Sequence, residues 1–315
     1  MTSVSPPAEA KPVGATARVR PVVALMRPSH WIKNSLVFAA PLFAARLTDP
    51  PVFFRTALAF AAFCAASSAA YVYNDWRDAE RDRAHPIKAT RPLASGSVDE
   101  RLALGFGAAL AVAGLLLGLA SGTLVAILVG AYLALMAMYS SWGRQHAPVD
   151  TLLIAAGFLI RAVAGAAAGQ VSASPWFLAL TILLALMLGF GKRRAEIALM
   201  GDEALFGRSS LAAYTLPMLD QILSVLAAST IVLYAIYSVS ISDRIGSSDM
   251  ILTWPMTLVG ILRYLQVTHT TVRPPDELLV HDRVILGVAV SFVVAAAAIL
   301  HFHTHLVGRV TLSAG

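Results

Sequence analysis

The chain of 315 residues is 57% hydrophobic and only 13% charged, about half the charged share of a soluble globular protein, and its mean hydropathy is +0.71. So few polar groups cannot cover a chain of this size in water; it needs a bilayer as solvent, which excludes a soluble enzyme, a disordered chain and a nucleic-acid-binding domain. The 24 Lys and Arg outweigh 18 Asp and Glu to give +6, an excess that suits cytoplasmic loops beside anionic lipid rather than a nucleic-acid partner.

Residues 1–20 are rich in Pro, Ala and basic residues, lack an apolar run, and read as a disordered cytoplasmic tail. The first apolar run opens after Lys33 and Asn34, deeper than in a cleavable signal peptide. Stretches of spanning length lie near 32–47, 52–73, 102–120, 122–140, 149–169, 175–191, 219–240, 250–267 and 284–303. They predict an all-α polytopic membrane protein of nine transmembrane helices, with one transmembrane domain over 21–305 and a short C-terminal tail over 306–315. Charge orients the bundle. Only Arg46, Arg55, Arg244 and Arg309 fall on the face opposite the N-terminus, and Arg161 lies inside a helix; the rest of the 24 basic residues share the N-terminal side. The positive-inside rule then places the N-terminus in the cytoplasm and the C-terminus outside. The long loops 74–101, 192–218 and 268–283 fall on that same side, so the working face is expected to be cytoplasmic.

The inner end of the second predicted helix carries Asn74, Asp75, Asp78 and Asp82. Offsets of three and four put the acids on one helix face, where like charges repel unless a cation lies between them. Carboxylates with an amide carbonyl suit Mg²⁺, which takes phosphate oxygens and waters as its remaining ligands. The same residues also fit a solvated helix end neutralised by Arg77, Arg81 and Arg83. Directly downstream, the run from His85 to Pro92 sets Lys88 and Arg91 in a proline-stiffened loop. Cations beside a metal-holding cluster describe a polyphosphate site; a basic loop touching lipid headgroups has the same composition.

Asn74-Asp75-x-x-Asp78-x-x-x-Asp82 resembles the first aspartate motif of the UbiA superfamily of intramembrane prenyltransferases. The stretches Arg27-Pro28-x-x-Trp31-x-Lys33-Asn34, His85-Pro86-x-Lys88-x-x-Arg91-Pro92, Gly191-Lys192-Arg193-x-Ala195-Glu196 and Ile261-Leu262-Arg263-Tyr264 are similar to the decaprenyl-phosphate phosphoribosyltransferase branch of that superfamily. The resemblance implies a UbiA-like bundle that moves 5-phosphoribose from phosphoribosyl diphosphate to a polyprenyl phosphate, releasing diphosphate, for cell-envelope arabinan precursors. It implies Mg²⁺ held by Asp75, Asp78 and Asp82 with Asn74 nearby. Arg27, Lys33 and Arg263, with Asn34, become candidates for the lipid phosphate; Lys88, Arg91, Lys192 and Arg193 become candidates for the donor phosphates. A homo-oligomer is left open.

Where ordinary members carry a second acidic motif after the sixth helix, this chain reads Gly191-Lys192-Arg193-Arg194-Ala195-Glu196. That pattern fits one Mg²⁺ plus phosphate groups bound without metal, or else a cationic anchor ending the helix. The alternative from the same fold, a prenyltransferase acting on a small acceptor, expects the missing acids. A transporter expects charges spread through the bilayer depth, whereas these crowd one face. After the fourth helix come Tyr139, Arg144, where the branch usually has Lys, and Asp150, which either receives ribose hydroxyls or caps its helix. Arg161 is expected to pair with an acid or reach a cavity. Gly165 and Gly169 read as close helix packing, Cys64 as a small buried hydrophobe, and Trp176, Trp254 and Tyr237 as interfacial aromatics. His301, His303 and His305 are too poorly aligned for a metal role.

Overall fold

The computed structural model describes residues 15–84, 88–200, 210–241, 247–271 and 281–302, together with 273, 275 and 278. His85, Pro86, Ile87, His303, His305 and the predicted C-terminal tail 306–315 lie outside the described residues. The described residues are helical with no strand, as expected of an all-α bundle. The helices are α1 (Ala15–Met26), α2 (Ala39–Phe43), α3 (Pro50–Arg83), α4 (Glu100–Ser121), α5 (Thr123–Ser141), α6 (Val149–Gly169), α7 (Pro175–Met200), α8 (Leu216–Ser240), α9 (Trp254–Thr270) and α10 (Arg283–His301).

Among the described residues eight helices, α3 to α10, are long and apolar enough to cross a membrane, counting the turn at Asp249 as part of α9. The ninth predicted span, 32–47, takes another form: a 3₁₀ helix over Pro28–Phe38 that runs into the short α2. A 3₁₀ helix rises about 2 Å per residue, so the two pieces together extend about 30 Å, the thickness of the hydrocarbon core. Its three-residue turn stacks Trp31, Asn34, Val37 and Ala40 on one face, and the last three of these are buried. Helix α1 begins at Ala15, inside the segment expected to be disordered. It docks by its last turn, where Leu25 is enclosed with Val72, Leu93, Val98 and Ala103, a contact too local to leave an apolar run in the sequence.

Helix α3 is 34 residues long, about 51 Å, and so overruns the hydrocarbon by about 20 Å. The predicted end at residue 73 marks where apolar residues stop; the helix itself continues, because Asp and Arg side chains can be solvated or paired outside the bilayer without breaking backbone hydrogen bonds. Helix α7 likewise runs past the predicted residue 191 to Met200.

Two half-bundles meet along α6 and α7. In the first, α3, α5, α6 and the 3₁₀ segment enclose Phe63, Ala59, Ala62, Ala66, Val125, Val129, Tyr132, Ala164 and Val37. In the second, α7, α8, α9 and α10 enclose Met187, Leu219, Leu223, Ile261, Tyr264 and Ile285. Tyr237, expected at the interface, is buried instead against Phe43 and Tyr234. Lipid solvates the rim: 61% of the apolar window of α3 is buried, against 17% for α10, whose Val290 and Val294 face outward.

Small residues set the closest approaches. The glycine stripe of α6 receives the 3₁₀ segment: a β-carbon on Gly165 would collide with the backbone of Val37, and one on Gly169 would meet the ring of Pro41 at 2.6 Å. Asn34 meets Arg161 on the same stripe. Three residues of 3₁₀ helix and four of α-helix both advance about 6 Å. Asn34 and Val37 therefore meet Arg161 and Gly165 in step, and Pro41 follows on Gly169.

Candidate active site

The polar end of α3 carries its acids on one buried face, as the three-and-four spacing requires: Asp75, Asp78 and Asp82 are all buried. Among the described residues, the hydrogen-bond partners of these acids come from other elements, not from the neighbouring Arg77, Arg81 and Arg83. Asp75 accepts from Arg27 Nη2 at 2.5 Å and from Arg91 Nη1 at 3.1 Å. Arg91 Nη1 also donates to Asp82 Oδ2 at 2.7 Å, so one guanidinium nitrogen stands between two carboxylates. Arg27 stacks over the Tyr71 ring, 4.9 Å from its centroid. Arg144 grips both oxygens of Asp78 at 2.5 Å and reaches Asn74 Oδ1 at 3.4 Å. This two-pronged pairing raises the Arg144 guanidinium above its ordinary pKa and keeps it charged. Ser210 fixes the loop from behind by donating to the Arg144 carbonyl at 2.8 Å. Lys88 and Arg81 add positive charge within reach of Asp78.

A second polar cluster joins α5, α6 and α7. Arg193 Nε lies 2.8 Å from Asp150 Oδ2, but neither atom has a well-formed hydrogen bond, so the contact is an ion pair whose N–H is not aimed at the oxygen. Arg193 also donates to Glu196 at 2.5 Å and to the Tyr139 hydroxyl at 3.4 Å. Asp150 further accepts from Thr151 N at 2.7 Å and from the Tyr214 hydroxyl at 3.4 Å; burial pushes the Tyr214 phenol above its usual pKa. Asp150 is 0% exposed and Arg193 1%. Two expectations are corrected here. Asp150 is sealed by its partners rather than open to a ribose, and it is not the helix cap, since Pro148 holds that position. Arg193 is spent on Asp150 and Glu196 rather than presented to a phosphate.

A sequence profile of the UbiA prenyltransferase family matches residues 35–215, more than half of the chain. The chain belongs to the UbiA prenyltransferase family. This UbiA-family enzyme is 32% identical to the decaprenyl-phosphate phosphoribosyltransferase of Mycolicibacterium smegmatis over 93% of its own length and 97% of that protein's. It is 35% identical to the decaprenyl-phosphate phosphoribosyltransferase of Corynebacterium glutamicum over 86% of its length and 84% of that protein's. Its fold matches a solved UbiA homolog from Archaeoglobus fulgidus bound to DMAPP and Mg²⁺, with a TM-score of 0.71 at 17% identity, covering 89% of this chain and 99% of the other.

A divalent cation fits the α3 end of this UbiA-family enzyme in one specific way. Among the described residues no three acids lie close enough together to hold a metal by themselves, since Arg144 holds Asp78 to one side. Asp75 and Asp82, however, converge on a single point, now marked by the positive Nη1 of Arg91. Two hard carboxylates around one cationic point match the oxygen donors that Mg²⁺ prefers.

The remaining candidates divide. Lys33, Lys88 and Lys192 are half-buried on the 3₁₀ segment, the Lys88–Thr90 turn and α7. Arg263 is not brought to the acids; it pairs with Asp282 at 2.9 Å and donates to Gln266 at 2.9 Å, tying α9 to the start of α10. Asn34, expected near a lipid phosphate, is 0% exposed and accepts from Arg161 Nε at 2.7 Å while donating to Ser67 at 3.2 Å. Sequence reasoning missed this Asn34–Arg161 contact, although the three-residue spacing of Trp31, Asn34, Val37 and Ala40 was there to be read.

Proposed function

We propose that this UbiA-family enzyme transfers 5-phosphoribose from phosphoribosyl diphosphate to a polyprenyl phosphate, releasing diphosphate, at the cytoplasmic face of the membrane. The observation that carries the reading is the asymmetry of the polar mouth. Among the described residues, converging carboxylates come from α3 alone, and the end of α7 carries no matching acid pair: Lys192 is half-buried there, Arg193 is held by Asp150 and Glu196, and Arg194 by Asp220. A single acid cluster with the cations Arg27, Arg91 and Lys88 around it suits a donor carrying metal-bound and metal-free phosphates at once. The relatives that match over most of their length carry the corresponding name, and the clustering of basic residues on one side supports the cytoplasmic placement.

In this reading the ribose C1–oxygen bond to diphosphate breaks, the electron pair leaves with diphosphate, and an oxygen of the lipid phosphate forms the new bond to C1. The nucleophile is already an anion, so no side chain has to remove a proton; catalysis rests on positioning and charge. Asp75 and Asp82, with Asp78 and Asn74 adjacent, would hold Mg²⁺, which when bound supplies neutralisation of the departing diphosphate. Arg91, Lys88 and Lys192 orient the donor phosphates, and Arg27, at the head of the 3₁₀ segment, and Lys33 on it hold the lipid phosphate. Arg144 fixes Asp78 through both of its oxygens. Incubating the purified protein with labelled phosphoribosyl diphosphate and polyprenyl phosphate, with and without EDTA, should move label into the lipid extract only without chelator. Turnover of a prenyl diphosphate with no labelled phosphoribosyl lipid would overturn the reading.

A further inference from the structure

Arg161 lies about 16 Å along α6 from Asp150, within the apolar half-bundle, and is buried. Enclosing a guanidinium at such a depth costs several kcal/mol unless its charge is matched. Among the described residues no carboxylate forms an ion pair with it. Its partners are all neutral: Nε donates to Asn34 Oδ1 at 2.7 Å, Nη1 to the Gly157 carbonyl at 2.9 Å and Nη2 to the Tyr132 hydroxyl at 2.8 Å. The rings of Tyr132, Phe158 and Phe63 surround it at 4.4, 5.5 and 5.9 Å. Among the described residues it therefore does not meet the acid that its sequence position suggested. What the planar fork supplies is geometry, a rigid junction of the 3₁₀ segment, α5 and α6.

We infer that Arg161 is a positioning residue that fixes the register of the Pro28–Phe38 segment on α6 and thereby aims Arg27 at Asp75. The inference rests on the proposed function only in taking Arg27 as a phosphate-gripping group. Asn34 on Arg161 and Val37 against Gly165 set the register from one side. At the other end the segment begins with Arg27 at φ 50°, ψ 61°, a left-handed conformation that costs about 1–3 kcal/mol and that a following proline does not favour. Such backbone persists only where its surroundings hold it. Here Ser68 does so, donating to the Met26 carbonyl at 2.9 Å and accepting from Trp31 Nε1 at 3.1 Å. A slip of one residue along a 3₁₀ helix is about 2 Å, enough to break the 2.5 Å contact of Arg27 with Asp75. Lysine in place of Arg161 keeps the charge but offers no fork to join three elements.

The test uses the full-length protein in nanodiscs with Arg161→Met, Arg161→Lys, Arg27→Ala and the double variant Arg27→Ala/Arg161→Met. Arg161→Met should speed amide exchange in the 28–38 peptide at least tenfold while peptides from α8 and α9 keep wild-type exchange, and Arg161→Lys should restore part of the protection. kcat/KM should fall at least tenfold in Arg161→Met, and the loss in the double variant should be clearly less than the product of the two single losses, because one residue acts in part through the other. Unchanged exchange in 28–38, or losses in the two single variants that multiply in the double one, overturns the inference. Should the wild type turn over no phosphoribosyl diphosphate, the reaction reading fails, and the exchange measurement still decides whether Arg161 holds the segment.

Discussion

The carbonyl of Val37 occupies the place a β-carbon on Gly165 would take, so two backbones touch with no side chain between them. Gly165→Ala must push the 3₁₀ segment off α6, at a cost of about 1–3 kcal/mol or more for overpacking. Gly105, which has nothing within 4 Å of the corresponding position on α4, is the control, and Gly105→Ala should stabilise by about 0.5–1 kcal/mol. Thermal unfolding of both variants in one detergent checks the pair of signs.

Asp75 and Asp82 are the carboxylates that share a cation. Asp75→Ala or Asp82→Ala should lower turnover about a hundredfold or more while the bundle stays folded. Retention of metal-dependent turnover near the wild-type rate by either variant would remove the assigned metal site.

Arg91 occupies the point between those carboxylates, so it competes with any metal for them. Arg91→Ala should therefore bind Mn²⁺ more tightly than wild type in the absence of substrate, while its KM for the donor rises because a phosphate-binding cation is gone. Calorimetric titration with Mn²⁺ measures the first effect and steady-state kinetics the second. Weaker Mn²⁺ binding would mean that Arg91 organises the acids rather than occupying their shared point.

Arg144 and Asp78 form a nearly enclosed pair. Removing one member leaves an unmatched charge, so Arg144→Ala should destabilise by about 3–5 kcal/mol, whereas the double variant Arg144→Met/Asp78→Leu should be markedly milder. Chemical or thermal unfolding of the two proteins compares them directly.

Asp282 accepts from Arg263 and caps α10 through Ile285 N and Val284 N, contacts that hold its carboxyl below the ordinary 3.8. A depressed carboxylate contributes stability that is fully present above 3.8 and is lost as pH falls through the lower folded value. Wild type should therefore melt above Asp282→Asn at neutral pH, and the two curves should converge in acid once the pH has fallen below the depressed folded value. A gap that persists in acid would assign the difference to something other than ionisation.

Hydropathy and charge made much of this molecule legible in advance. The eight long helices are apolar runs bounded by polar turns, and the 75–78–82 spacing placed three acids on one helical face. What escaped was decided by partners distant in sequence. Nothing local to Asp150 and Arg193 reveals that they seal each other from solvent, and nothing near Arg263 points to Asp282. The first segment was misread for a different reason. Hydropathy averages over residues and is blind to pitch, so a 3₁₀ run and an α-helix of equal apolarity look the same, while the three-residue rhythm from Trp31 to Ala40 carried the distinction.

The overrun of α3 bears on what the enzyme asks of its lipid. With the acids displaced beyond the hydrocarbon slab, a phosphorylated isoprenoid can react while its anionic head stays at the depth where leaflet phosphates already reside, and no charge has to be dragged toward the midplane. Its tail remains dissolved among acyl chains, unmeasured by the reacting groups. Acceptors of different isoprene number should then share one kcat as long as each is anchored in the leaflet, and a steep dependence of kcat on tail length would show that the bundle gauges the tail after all.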